Sequence, residues 1–261
     1  MSRNPNLIAN YAIRNQTKSP GVRQQIEQYK NSTSNTTIDF NRTLYIIWSG
    51  TNNYYFNKTL TTSDTVQSIF DCLDLLITFG GQNFVIINEP PFDRFPAFRN
   101  KSETNGTKYL YIDHNKILSE KFSQNYSSST TKLNVRLFDS YTFISNIMDN
   151  YENYGFENLN SCWDSINNST IQTLCSNATQ RMFCDEYHLT SHMQSLVAEE
   201  LNRFLLIQST NISSSTSTSI SSSTSTSTSS SRSTSTSSSR STKLTFNLFL
   251  LLPLFFLINK I

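Results

Sequence analysis

The sequence has little charge, and almost none in excess of either sign. Lys and Arg number 21 against 19 Asp and Glu, so the formal net charge is +2, and charged residues are only 15% of the chain. That balance removes the electrostatic footprint on which nucleic-acid binding depends. No segment repeats at a fixed period, which argues against a solenoid. The four Cys include no C-x-x-C pair, so a structural zinc site is not expected. The stretch Met1 to Ala12 holds no apolar run of signal-peptide length. Residues 209–243 are almost entirely Ser and Thr, and residues 244–261 form an apolar tail. Only residues 1–208 can therefore build a sizeable core, and no second large domain fits.

What the chain has in abundance is Asn. Residues 1–208 contain 26 Asn and 41 Ser plus Thr, from which chance placement gives roughly five N-x-[S/T] sequons. Eleven are present, at Asn15, Asn31, Asn35, Asn41, Asn57, Asn100, Asn105, Asn125, Asn167, Asn168 and Asn177, with one more at Asn211. That enrichment favours a glycosylated, secreted surface, although a bias towards Asn codons would also produce sequons. The tail agrees with secretion. Leu244 to Ile258 is apolar but broken by Pro253 and short of the roughly 20 residues of a spanning helix. Small polar residues followed by a short apolar C-terminus form the pattern of a GPI-attachment signal, with a short tail-anchor helix or no membrane role as the rivals. The Ser/Thr tract then reads as a disordered, O-glycosylated stalk. Cys162 and Cys175 close a short polar loop and suit a local disulfide. Cys72 lies in an apolar helical stretch and reads as a buried thiol.

Short apolar runs at Leu7–Ile13, Thr43–Trp48, Asn83–Asn88 and Lys132–Phe138 read as strands, the middle two covered on both faces. Helical spacing lies between and after them, at Val22–Tyr29, Asp64–Thr78 (with Ser63 or Asp64 as cap), Tyr109–Phe122, Tyr141–Asn150 and Leu189–Leu206. Alternation of the two predicts an α/β domain around a mostly parallel sheet, with its ligand crevice at the C-terminal ends of the strands.

Two segments there carry chemistry. Directly after the second strand comes Trp48-Ser-Gly-Thr-Asn-Asn-Tyr54. Gly50 permits a sharp turn, and Asn52 can offer a side-chain amide to a developing oxyanion, although Gly-x-Asn is also common in ordinary turns. The second is Phe183-Cys-Asp-Glu-Tyr-His-Leu-Thr-Ser-His-Met193. Asp185 and His188, three apart, allow a carboxylate to hold one imidazole nitrogen while the other acts as a base. His188 and His192 are also spaced i, i+4, as metal ligands can be, but no Glu follows His188 as in the zinc proteases. Plain helix capping would use the same residues.

Taken together, a strand ending in Gly-x-Asn and a late Asp-x-x-His before the final helix resemble the GDSL, or SGNH-hydrolase, esterases and lipases. The fungal carbohydrate-esterase family sixteen type is the nearest in look. Phe84-Val-Ile-Ile-Asn-Glu-Pro-Pro-Phe, Asp139-Ser-Tyr-Thr-Phe-Ile-Ser-Asn-Ile and Tyr154-Gly-Phe-Glu-Asn resemble further segments of that family, and the likeness runs over about residues 7–206. The resemblance implies a three-layer α/β/α sandwich with a flavodoxin-like parallel sheet. It casts His188 as base, Asp185 as its orienting carboxylate, and Gly50 with Asn52 as oxyanion residues. It places His192 on the final helix without a metal, and it calls for no metal or other cofactor.

The chain departs from the family in several places. Asn53 stands for an Asp, Leu189 for a frequent Pro, and Cys184 for an aromatic. Arg14 and Asn15 replace a Gly pair in Asn10-Tyr-Ala-Ile-Arg-Asn-Gln-Thr17. The Gly-Asp-Ser-Leu block with the nucleophilic Ser is absent from the 261 residues. In the family that Ser follows a central strand, which would lie between the strands equivalent to 7–13 and 43–48; without it two sheet edges are left unpaired. One missing N-terminal segment would account for the absent signal peptide, nucleophile and strand together; a degenerate, inactive relative is the rival.

The expected function is a secreted or cell-surface ester hydrolase acting on carbohydrate or lipid esters. The expected partners are that substrate and a membrane reached through the tail, with no nucleic acid and a monomeric state. The alternative is a non-catalytic surface glycoprotein, in which Trp48, Tyr54, Tyr55 and Phe56 could stack on sugars, although such residues more often pack in the core or rim. Asn31, Asn35, Asn41, Asn57, Asn100, Asn105, Asn125, Asn168 and Asn177 are the expected glycan sites.

Overall fold

A computed structural model describes residues 13–14, 17–18, 21–56, 59–99, 104–126, 133–162, 175, 177–215 and 247–251. The main sheet is built from β3 (Thr43–Trp48), β4 (Asn83–Ile87), β5 (Asn134–Phe138) and β8 (Asn247–Leu251), in the order β5-β4-β3-β8 with every pairing parallel. Period-2 alternation splits the strand side chains between two apolar clusters. Leu44, Ile46 and Trp48 of β3 and Val85 and Ile87 of β4 join one cluster; Tyr45, Ile47, Phe84 and Ile86 join the other. Both faces of β3 and β4 are thus covered, the reason their sequences are almost unbroken runs of large apolar residues.

Helices α1 (Val22–Ser32) and α3 (Thr62–Phe79) close one face, with Val22, Ile26, Val66, Ile69 and Leu73 buried. Helices α5 (Ser140–Asp149) and α6 (Ser191–Ser215) close the other through Ile144, Ile147, Met193 and Val197. Helix α4 (Thr104–Tyr126) reaches both clusters, with Tyr111 in one and Leu118 in the other. This is the three-layer α/β arrangement expected. A two-stranded parallel ribbon, β6 (Asn158–Ser161) with β7 (Arg181–Phe183), stands beside the main sheet and carries the chain into the loop before α6.

Several boundaries differ from the sequence expectation for local reasons. The cap of α3 is Thr61, whose hydroxyl accepts the Asp64 N–H at 3.1 Å, so the helix starts ahead of Ser63. It ends at Gly80, with φ of 116°, a conformation that favours glycine. Helix α4 extends beyond 109–122 at both ends. Helix α6 runs on to Ser215, seven residues into the expected stalk; residues 216–243 lie outside the described residues.

Of the expected first strand, only its last residue, Ile13, is described. Residues 7–12 lie outside the described residues, and β1 (Ile13–Arg14) pairs antiparallel with β2 (Thr17–Lys18) as a separate ribbon. The edge of β3 is not left open. Residues 247–251 of the apolar tail pair along it from Thr43 to Ile47 in parallel register, satisfying backbone groups that an open edge would strand. Among the described residues, no helix is long and apolar enough to cross a membrane.

Candidate active site

The loop after β7 folds around Asp185. Its Oδ1 accepts the backbone N–H groups of Tyr187 and His188, each at 2.8 Å, and its Oδ2 lies 2.5 Å from His188 Nδ1. The carboxylate is therefore saturated within its own turn, the Asx geometry to which the Asp-x-x-His spacing lends itself. Burial opposes its charge, but the His188 imidazole and the two backbone donors outweigh that and hold its pKa below the usual carboxylate value. Asp185 is buried and His188 half-buried. An imidazole fixed at Nδ1 keeps Nε2 as the working nitrogen, the arrangement of a general base with its orienting acid.

His188 precedes α6, whereas His192 is inside it, so the two do not share a helical face as their i, i+4 spacing suggested. His192 Nδ1 is 2.8 Å from the Thr179 carbonyl oxygen, and its ring packs on Phe156 at 4.8 Å. Cys184, Asp185 and His188 bring ligand-capable atoms within 4.8 Å of one another. The thiol there is pushed up to about 11 by burial and by the Asp185 charge, which disfavours the thiolate a metal would need.

The other half of the site begins where β3 ends. Gly50 has φ of 152°, and a Cβ there would collide with Glu89 Oε1 and come within 3.0 Å of His114 Cε1. Both its conformation and its neighbours require glycine. Helix α2 (Thr51–Phe56) follows and carries Asn52 and Asn53. Asn52 is half-buried, and its Oδ1 and the Asn53 Nδ2 are buried without a hydrogen-bond partner. Of the two roles open to Trp48 and Tyr54, sugar stacking or core packing, their 5% and 7% exposure selects the core; the side chains of Tyr55 and Phe56 lie outside the described residues.

An aromatic chain joins the two halves. Tyr54 packs on Tyr111, Tyr111 on Phe92, Phe92 on Phe95, and Phe95 on Phe183, next to the Asp185 loop. The Ala97 N–H donates to the Glu186 carbonyl at 3.1 Å, tying that loop to the segment after β4. Contacts thus run from the segment after β3, through residues that follow β4, to the loop that holds Asp185 and His188.

With that geometry, the sequence match is decisive. The model of the family described as GDSL-like Lipase/Acylhydrolase matches residues 1–201. The chain belongs to that family. It is similar to GDSL esterase/lipase 1 of Arabidopsis thaliana, at 26% identity over 191 residues covering 60% of this chain and 50% of the relative. It is also similar to GDSL esterase/lipase 3 of the same plant, at 24% identity over 191 residues covering 61% and 52%. The chain spans about half the length of these curated relatives.

Sequence reasoning missed a buried polar group beneath the Gly50 turn. Glu89 is 1% exposed and accepts the Thr51 hydroxyl; burial pushes its carboxyl up to about 7, against the hydrogen bonds from Thr51. His114 is fully buried, lies 2.5 Å from Tyr54 Oη through Nδ1, and is pushed down to about 3 by burial. Asn88, also missed, knits the ends of β4 and β5. Its Nδ2 donates to Asp139 Oδ1 at 2.8 Å, and its Oδ1 accepts from the Ser140 hydroxyl and the Tyr141 N–H, each at 3.0 Å. The signal for Glu89 was a carboxylate directly after a strand with no charge in it.

Cys162 and Cys175 form a disulfide, as their spacing suggested, and Cys72 is a buried thiol. The sequon residues whose side chains are described, Asn31, Asn35, Asn41, Asn125 and Asn177, are all exposed; Asn57, Asn100, Asn105 and Asn168 lie outside the described side chains.

Proposed function

We propose that this chain carries the acid–base half of a GDSL-type ester hydrolase, with His188 as general base, Asp185 as its orienter and Asn52 as an oxyanion donor. The observation that carries the reading is the Asp185–His188 pair, 2.5 Å apart with the second carboxylate oxygen bonded to backbone. In this reading the base takes a proton from a serine hydroxyl, the alkoxide attacks the ester carbonyl, and the leaving alcohol regains the proton. The reaction requires that serine, which the resemblance places in a Gly-Asp-Ser-Leu block not found in residues 1–261. The substrate class is a carbohydrate or lipid ester, handled in the manner of the fungal family-sixteen carbohydrate esterases.

The setting is secretory. Exposure of every described sequon side chain and a disulfide between Cys162 and Cys175 support a glycosylated protein in an oxidising compartment. The test is hydrolysis of short-chain nitrophenyl esters and acetylated xylan by the chain joined to a family segment bearing the serine. His188→Ala should then remove nearly all activity, and Asn52→Ala should lower turnover on the order of 10²–10³. Full activity after His188→Ala would overturn the assignment of the base. The same exposed sequons also favour a second reading, a non-catalytic surface glycoprotein. Specific binding to glycans, with no hydrolysis from the serine-bearing protein, would establish it.

A further inference from the structure

The acid–base pair leaves one conspicuous group unused. Glu89 is seated directly below Gly50, so close that glycine's missing Cβ is what makes room for its Oε1. Its other oxygen takes the Thr51 hydroxyl and a backbone hydrogen bond from Thr51. Its main chain is clamped as well, since the Glu89 N–H donates to Asn115 Oδ1 and Asn115 Nδ2 donates to the Glu89 carbonyl, both at 2.9 Å. A carboxyl this firmly held, whose one side-chain hydrogen-bond partner immediately precedes Asn52, is built into the turn.

Among the described residues, no cation contributes to its electrostatics. Facing Glu89 are Thr51 and Tyr54 from α2 and Tyr111 and His114 from α4, while the Asp93 charge acts on Tyr111 and the Asp113 charge on Tyr54 and His114. Two buried atoms in this nest lack a partner, Glu89 Oε1 and His114 Nε2. Oε1 and Cε1, the ring carbon bonded to Nε2, lie nearest to the same space below Gly50. A neutral imidazole with Nδ1–H on Tyr54 offers Nε2 as an acceptor on that side, and a protonated Glu89 offers the donor.

We propose that Glu89 is a positioning residue of the oxyanion turn, which holds Gly50, Thr51 and Asn52 in place and leaves the turn's donors free for a negative oxygen only while it carries a proton. The inference rests on the oxyanion role proposed above for Asn52. A neutral carboxyl leaves the donors of the turn free to meet a negative oxygen. An ionised one puts a negative charge behind the same donors in a dry setting, where it opposes the developing oxyanion. It also loses the donor that would face His114. The upward shift of the carboxyl to about 7 places this change in the neutral range.

The experiment reads the turn directly and then the chemistry. In this chain, the Gly50 and Asn52 amide resonances and the Glu89 side-chain carboxyl carbon should titrate together with a midpoint near 7. In Glu89→Gln, which keeps an acceptor for Thr51, the two amides should lose that titration while the melting temperature at pH 5 is retained. In the serine-bearing protein, turnover should fall at least tenfold from pH 6.5 to 8.5, a limb that Glu89→Gln flattens. Absence of the common midpoint in the unsubstituted chain, or its survival in Glu89→Gln, overturns the proposal even if the variant is poorly stable. Coupled titration with no hydrolysis at any pH upholds Glu89's hold on the turn and overturns the enzymatic reading instead.

Discussion

Asp185 reaches His188 twice, with Oδ1 on its backbone N–H at 2.8 Å and Oδ2 on its ring Nδ1 at 2.5 Å. One carboxylate thereby fixes both where the residue sits and how its ring is turned. The depressed pKa of Asp185 has a stability consequence with a definite sign. A carboxyl held below its unfolded value contributes stability above that value and loses it as the pH falls through the folded one. Asp185→Asn should therefore lower stability by roughly 1–3 kcal/mol at neutral pH. The gap between the two proteins should narrow below about pH 4. Melting temperatures measured from pH 3 to 7 check this; a gap independent of pH would reject a charged role for Asp185.

Two glycines should respond in opposite ways to the same change. Gly50→Ala meets Glu89 and His114 and must adopt a φ of 152°, so it should destabilise the fold by about 2–4 kcal/mol. Gly106 lies on α4 with nothing within 4 Å of a Cβ, so Gly106→Ala should stabilise by about 0.5–1 kcal/mol. Urea denaturation of both variants provides the comparison, and a tolerated Gly50→Ala would show that the buried nest can move aside.

The cysteines should sort themselves by reactivity. Cys72 is 3% exposed with its thiol pushed up to about 12 by burial, while Cys184 is exposed and pushed only to about 11. Alkylation of the native protein at pH 8 should label Cys184 slowly and Cys72 not at all. Cys162 and Cys175 should react only after reduction. Peptide mapping reads each site, and native labelling of Cys72 would mean that the face between α1 and α3 opens.

Much of this architecture could be read from residue order. The runs Thr43–Trp48 and Asn83–Asn88 are so uniformly apolar that no half-exposed strand fits them, and both proved buried on two faces. Asp185 and His188 were legible because an Asx turn acts over three residues and needs no tertiary knowledge. Glu89 and His114 were not, since 25 positions separate them and only the packing of α4 over the end of β4 brings them under Gly50. For Trp48 and Tyr54 the sequence left sugar stacking and core packing both open, and only tertiary packing, such as Tyr111 of α4 against Tyr54, decides for the core. Long-range pairing was least legible of all. Nothing local in Asn247–Leu251 specifies β3 as its partner, because an apolar run suits a sheet and a membrane equally.

The tail therefore sets the last prediction. The residues that pair with β3 belong to the same apolar stretch that resembles a GPI-attachment signal, and one segment cannot serve both ends at once. As a strand, 247–251 covers the backbone edge of β3 over five register positions. Loss of that edge leaves buried N–H and C=O groups unpaired, each costing on the order of 1–3 kcal/mol. Truncation after residue 243 should then lower the melting temperature clearly and promote association through the bared edge. Phe249→Pro should act in the same direction, because it removes a ladder N–H while leaving the rest of the apolar tail intact. Scanning calorimetry and light scattering on the two variants measure both effects. If both variants keep full stability, and residues 209–261 fused to a secreted reporter deliver it to the cell surface in a form that phosphatidylinositol-specific phospholipase releases, the segment's role is membrane attachment and the β3 edge belongs to another strand.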